Sequence, residues 1–287
     1  MNGLMKKVLL LFLFVGFCVP SAVMAQYSYG TTGLLHAPTA DMQRDKTFML
    51  GGGHINKWST TKNFQKLGKN YTLNYYLNIT IFPWLEVGYT CTLVYAQEGS
   101  TRFPESVWGT FCNQDRSFNV RLRVWKEGWW KAWTPQIVIG SDDVTTHNHY
   151  GGSGFSSGGE SGNNNYLTRY YIAATKHFDF KNIGNLGAHI SFIIGNAMNE
   201  PHYKRPAAGV NFQFDVKDEH FWGKALNGLN LMAEYYPIRY TGEEGETTGG
   251  VNIGASYKLW RDHINLWCEQ YDMDHFSWGV AFKVHLK

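Results

Sequence analysis

The sequence predicts an all-β fold: a closed antiparallel transmembrane β-barrel of about twelve strands, with its N- and C-termini periplasmic. Three observations predict it. Apolar residues recur at a period of two along most of the chain, connections alternate between long and short, and aromatic residues gather at the short connections.

The N-terminus reads as a secretory leader. Lys6 and Lys7 form a positive start, Val8 to Val19 is apolar, and Ser21 to Ala25 supplies small residues for cleavage between Ala25 and Gln26. Cys18 offers a lipoprotein anchor instead, but bulky Phe17 stands where a small residue is wanted. The expected organisation is a signal peptide at 1–25, a lead-in segment at 26–46 and the barrel at 47–287. No apolar run after Gln26 is long enough for a membrane helix, so a spanning chain has to close its backbone hydrogen bonds as a barrel. Without Lys6 and Lys7 the basic and acidic side chains balance to within one, which excludes the basic surface a nucleic-acid partner requires. Of four cysteines, Cys91, Cys112 and Cys268 follow the leader; an odd number is no disulfide framework.

The lead-in has two glycines, a proline and a short apolar core between Tyr29 and Asp41, and is expected to be an ordered turn or helical piece. Strands are expected near 47–57, 70–82, 84–95, 116–125, 135–141, 166–178, 185–195, 207–215, 228–236, 250–259, 263–271 and 276–286, with one or two helical turns in 218–227. The clearest pair is Leu73 to Tyr95. Leu73, Tyr75, Leu77, Ile79 and Ile81 share a face against Asn74, Tyr76, Asn78 and Thr80. After Phe82-Pro83-Trp84, Leu85, Val87, Tyr89, Cys91 and Leu93 oppose Glu86, Gly88, Thr90 and Thr92. Phe118 to Trp125, Leu186 to Ile194 and Val251 to Leu259 repeat the pattern, and their polar faces are rich in Gly, Ser, Thr and Asn, unlike a water-facing surface dominated by Lys and Glu. Phe82, Trp84, Trp129, Trp130, Trp133, Phe178, Phe180, Phe221, Trp222 and Trp260 fall at the short-turn side; Tyr71, Tyr95, Tyr166, Tyr236 and Tyr240 fall at the other. The last strand puts Trp278, Val280, Phe282, Val284 and Leu286 on one face, as in the C-terminal signal read by the outer-membrane barrel-insertion machinery.

Alternation places Glu86, Arg121, Arg123, Arg169, Glu234, Lys258, Glu269 and Lys283 on the inner wall. Their mixed signs fit structural ion pairs; a pathway for a polar solute or glycan is the alternative. Arg121 and Arg123 are the candidate partners of Glu86. Gly154-Phe-Ser-Ser-Gly158 has the spacing of a nucleophile elbow but lies in a Gly/Ser-rich loop and not between a strand and a helix. His147 and His149 beside Asp142 and Asp143 read as solvated loop residues, not as metal ligands. The sequons at Asn70 and Asn78 fall inside strands. No catalytic, cofactor-binding or metal-binding residue is assigned.

The ordered series Gly30 to Met42, Phe82 to Tyr89, Asp115 to Glu127, Thr134 to Asp143, Tyr166 to Lys176, Leu231 to Tyr235 and Val251 to Tyr257 resembles the YjbH-type exopolysaccharide family. The resemblance implies a non-catalytic outer-membrane barrel taking part in exopolysaccharide or capsule export or assembly, in a single-barrel version, since family members commonly carry a second barrel-like half. The loop from Tyr150 to Asn165 departs from the family pattern. Expected partners are outer-membrane lipid, polysaccharide, the other proteins of the exopolysaccharide system and the barrel-insertion machinery; no nucleic acid is expected, and the chain is expected to be a monomer. A general outer-membrane porin or solute channel is the alternative reading.

Overall fold

A computed structural model describes residues 30–56, 70–100, 103–142, 169–195, 203–217, 220–241, 246–260, 262–271 and 275–286. Cys18, Ala25, Gln26, His147, His149, the Gly154–Gly158 loop and Tyr166 lie outside these residues. Twelve strands run β1 Thr47–Ile55, β2 Asn70–Phe82, β3 Leu85–Ala96, β4 Phe111–Trp125, β5 Gln136–Asp142, β6 Arg169–Phe180, β7 Gly184–Gly195, β8 Tyr203–Phe214, β9 Leu229–Thr241, β10 Glu246–Leu259, β11 Ile264–Tyr271 and β12 His275–His285. Each strand pairs antiparallel with its sequence neighbours. β1 closes on β12, from Thr47 opposite His285 to His54 opposite Trp278. A closed barrel leaves no unpaired strand edge, which lipid would not tolerate. Among the described residues helix is confined to a 3-10 turn at Glu105–Val107 and α1, Phe221–Leu226, in the β8–β9 connection.

Alternation sorts the two faces. Leu77, Val120, Ile172, Ile190, Leu231 and Val251 are exposed outward, while Asn78, Asn119, Arg121, Ser191, Glu234 and Asn252 are buried inside. An apolar belt around a polar interior is what a bilayer selects. At the end bearing the short turns, Phe82 stacks on Trp84 with ring centroids 5.3 Å apart, and Trp129, Trp130, Trp133, Trp222 and Trp260 are exposed. Tyr71 stacks on Tyr95 at the opposite end. Tyr236 departs from the expected girdle. It lies inside the barrel, where its hydroxyl accepts from Arg169 Nη1 at 2.9 Å.

The strands outrun the sequence reading at the long-loop end. β4 begins at Phe111, β8 at Tyr203, and β9 and β10 continue to Thr241 and Glu246. Beyond the apolar belt a ladder needs only its backbone hydrogen bonds, so stretches such as Glu246-Thr247-Thr248 carry no alternation to read. Pro206 also argues against a strand, because it donates nothing to a ladder. Pro206 pairs with Phe192 on β7, while the β8–β9 register begins only at Ala208 opposite Tyr235, so Pro206 lies beyond the last pair on that side.

Candidate functional site: the lumen and the segment inside it

The lead-in is an ordered turn and not a helical piece, and it lies within the barrel: every residue from Gly30 to Gln43 is buried. Gly33 and Pro38 form an isolated antiparallel bridge, so residues 34–37 are the tip of a loop. Its two legs converge on one point of the wall. Gly30 accepts from Asn78 Nδ2 at 2.9 Å, and Gln43 Nε2 donates to Asn78 Oδ1 at 2.7 Å. Beside them Glu86 accepts from Thr32 N (3.1 Å), Thr32 Oγ1 (3.0 Å) and Gln43 N (3.3 Å).

The tip docks on another part of the wall. Glu234 on β9 accepts from the backbone N–H groups of Leu35 (3.1 Å), His36 (2.9 Å) and Ala37 (2.9 Å). Strands β8 and β10 flank it with glycines. A methyl group at Gly209 would come within 2.4 Å of Leu34 Cδ1, and one at Gly254 within 2.6 Å of Leu35 Cδ2. Leu34, Leu35, Ala37, Ala40 and Met42 share an apolar cluster with Val138, Ala173, Ile193, Ala207 and Met232 from the wall. The segment is thus a plug, held at two carboxylates and one apolar patch.

Cations complete the contact. Arg121 lies opposite Glu86 in the β3–β4 register and pairs with it at 3.1 Å; its Nη2 donates to the carbonyls of Thr39 and Asp41, the latter at 2.8 Å. Arg169 Nε pairs with Asp142 at 2.7 Å while its Nη1 donates to His36 O at 3.0 Å. Asp142, weighed in the sequence beside the histidines of the following loop, is therefore engaged in the wall. Glu269 meets His36 Nε2 at 2.9 Å and Ser277 Oγ at 3.2 Å. Lys283 Nζ is 3.4 Å from Asp262, and Lys258 is buried on β10. Arg123, the other candidate partner of Glu86, is half-buried and makes no ion pair with it; β4 shifts register between Arg123 and Trp125. Asn78, read in the sequence within a sequon, spends its amide on Gly30, Gln43 and Glu86.

At the short-turn mouth, Glu127 accepts from Lys176 Nζ (2.8 Å) and from His177 N (2.9 Å), and its Oε2 is 2.7 Å from His177 Nδ1. Partial burial pushes the Glu127 carboxyl up, but these bonds outweigh it and hold the group below its ordinary range. His177 Nε2 in turn lies 3.4 Å from Asp41, tying the plug to the 126–135 turn. The sequence reading missed this cluster, because Asp41 and Glu127 each look like isolated loop acids.

A membrane β-barrel whose lumen is occupied by its own N-terminal segment is the class these contacts define. The profile of the family described as exopolysaccharide biosynthesis protein YbjH, the YjbH family, matches residues 25–287, and the chain belongs to that family. It is 30% identical over 293 residues to the uncharacterized lipoprotein YjbH of Escherichia coli strain K12, covering 91% of this chain and 35% of that protein, so it spans about a third of that relative's length. Among solved structures, the Salmonella typhi outer membrane phospholipase dimer with bound calcium is similar at 12% identity and a TM-score of 0.36, over 85% of this chain and 91% of that one. The β domain of the Bordetella autotransporter BrkA is similar at 11% identity and a TM-score of 0.35, over 84% and 98%. The fold stands on its own strand register and not on these distant likenesses.

Proposed function

We propose that this chain is an outer-membrane component of exopolysaccharide production, acting without catalysis in the export or assembly of the polymer. The family and the apolar belt support the pathway and the membrane. The observation that carries the reading is the filled lumen. A general porin needs a wide water path, whereas here the interior is taken up by Gly30–Gln43 against paired charges and neutral amides. The non-catalytic assignment draws on the same contacts, since Glu86, Asp142, Glu234 and Glu269 are each occupied by the plug or the wall. The short turns and both barrel ends, where Leu286 N donates to Lys46 O at 2.7 Å, belong to the periplasmic side in this proposal. The chain acts as a monomer beside other proteins of its system, which supply the energy, and its last strand is read by the insertion machinery.

A null strain complemented with the chain tests the function. Secreted or surface polysaccharide should fall without the chain and return with it; unchanged polysaccharide would overturn the reading. Intact mass of the mature N-terminus tests the leader. Cleavage before Gln26 is expected; a lipid-bearing Cys18, of the kind the E. coli relative's name describes for that protein, would replace it.

A further inference from the structure

We propose that the lead-in is a removable gate over a binding path for a neutral, hydroxyl-rich glycan; this rests on the exopolysaccharide reading above. The first ground is that the wall behind the plug carries its own polar partners. Glu86 keeps Arg121 and Asn78, Arg169 keeps Asp142, Glu234 keeps Asn252 Nδ2 at 2.9 Å, and Glu269 keeps Ser277. The plug adds mostly backbone N–H and C=O groups, which water replaces once it leaves; its charged contacts among the described residues are two, His36 on Glu269 and Asp41 on His177.

The second ground is topology. The plug is a loop whose two legs converge on Asn78 and Glu86, and Lys46 joins it to β1 at the short-turn end. It therefore withdraws as a unit without threading the tip through the barrel. The third ground is the polar lining that continues from the plug. Thr175 accepts from Ala40 N of the plug at 2.9 Å and begins a hydrogen-bonded row that runs on through His189, Asn211, Asn230 and Ser256 across β6 to β10. The hydroxyls of Thr80 and Ser191 and the amide oxygen of Asn119 are buried without hydrogen-bond partners among the described residues. Uncharged donors and acceptors of this kind match sugar hydroxyls, and Glu234, held by backbone N–H groups and the Asn252 amide and not by a cation, does not favour an anionic chain.

Purified chain in planar bilayers tests the proposal. Wild type should stay closed. Leu34→Asp with Leu35→Asp sets new charges beside Glu234 while leaving the barrel wall untouched, and should open a steady conductance that neutral maltoheptaose blocks and oligogalacturonate does not. An in-frame deletion of 30–43, with folding read from heat-modifiable migration, should behave likewise. A folded but closed barrel in both variants overturns the gate. Failure of both to fold overturns it too, because the segment is then core. Block by the uronate alone, or by neither sugar, overturns the ligand class. None of these results bears on whether polysaccharide falls in the null strain, so the two readings fail separately.

Discussion

The Glu234 carboxylate is the sharpest test of how the plug is held. It takes backbone N–H groups from Leu35, His36 and Ala37 and one side-chain donor, Asn252. Glu234→Gln keeps the shape but removes the charge and turns one acceptor into a donor. Hydrogen bonds to a charged group contribute about 1.5–3 kcal/mol each, and the amide still satisfies part of the set, so the net loss is about 2 kcal/mol. For a domain of this size about 1 kcal/mol moves the midpoint by about 2–4 °C, which gives a fall of about 4–8 °C. Glu234→Ala leaves the three N–H groups without an acceptor and costs about 3–6 kcal/mol, less whatever entering water restores. The assay is thermal unfolding of the refolded barrel in one detergent at one scan rate, since such unfolding is governed by rates. The decisive comparison repeats Glu234→Gln in the 30–43 deletion, where the shift should nearly vanish. An equal shift in both backgrounds would show that Glu234 acts through the wall, and the plug contact would lose its energetic role.

Three further outcomes follow from the same geometry. Glu86→Lys strands Arg121 beside a second buried cation and should cost about 3–5 kcal/mol; the exchange Glu86→Arg with Arg121→Glu should recover only part, because Thr32 N and the Thr39 and Asp41 carbonyls keep their original polarity, and full recovery in thermal unfolding would contradict the plug contacts. Leu77→Arg, on the outward face, should destabilise by about 2–4 kcal/mol in a bilayer refolding titration if that face meets lipid near the midplane, and a neutral result would dislodge the belt. Glu127 has a depressed carboxyl, so its stabilisation is present above the ordinary carboxylate range and is lost as pH falls through the depressed value; hydrogen exchange in the 126–135 turn should accelerate only there, and Glu127→Gln should abolish that acid limb.

The strands were legible because lipid imposes a constraint on every second side chain, and Leu73 to Tyr95 shows it at full strength. Where lipid stops, so does the signal: Cys112–Asp115 and Glu246–Thr248 show no apolar alternation, yet their backbones pair with β3 and β9. Tyr236 has the parity of Glu234, so alternation already put it on the inner wall; the girdle reading took only its place near the strand end. The inward charges were legible as a set from alternation, but their partners were not. Arg121 and Arg123 are equivalent by parity, and only the cross-strand register, Glu86 opposite Arg121, separates them.

The plug was illegible for a different reason. Its acceptors, Glu86 and Glu234, stand 54 and about 200 residues away in sequence, and they recognise backbone N–H groups, which leave no trace in side-chain pattern. What the sequence did carry was an anomaly on the wall: Glu234 interrupts a face of Asn230 and Met232, opposite Gly209 on β8 and Asn252 on β10. A lone acid with no basic residue opposite it on either strand describes a socket better than an ion pair. Glu86, by contrast, has its arginine and still accepts from the plug. The two carboxylates divide the work: one is largely compensated by its own wall, while the other draws most of its hydrogen bonds from the segment it holds. Removing the segment should therefore perturb the surroundings of Glu234 far more than those of Glu86.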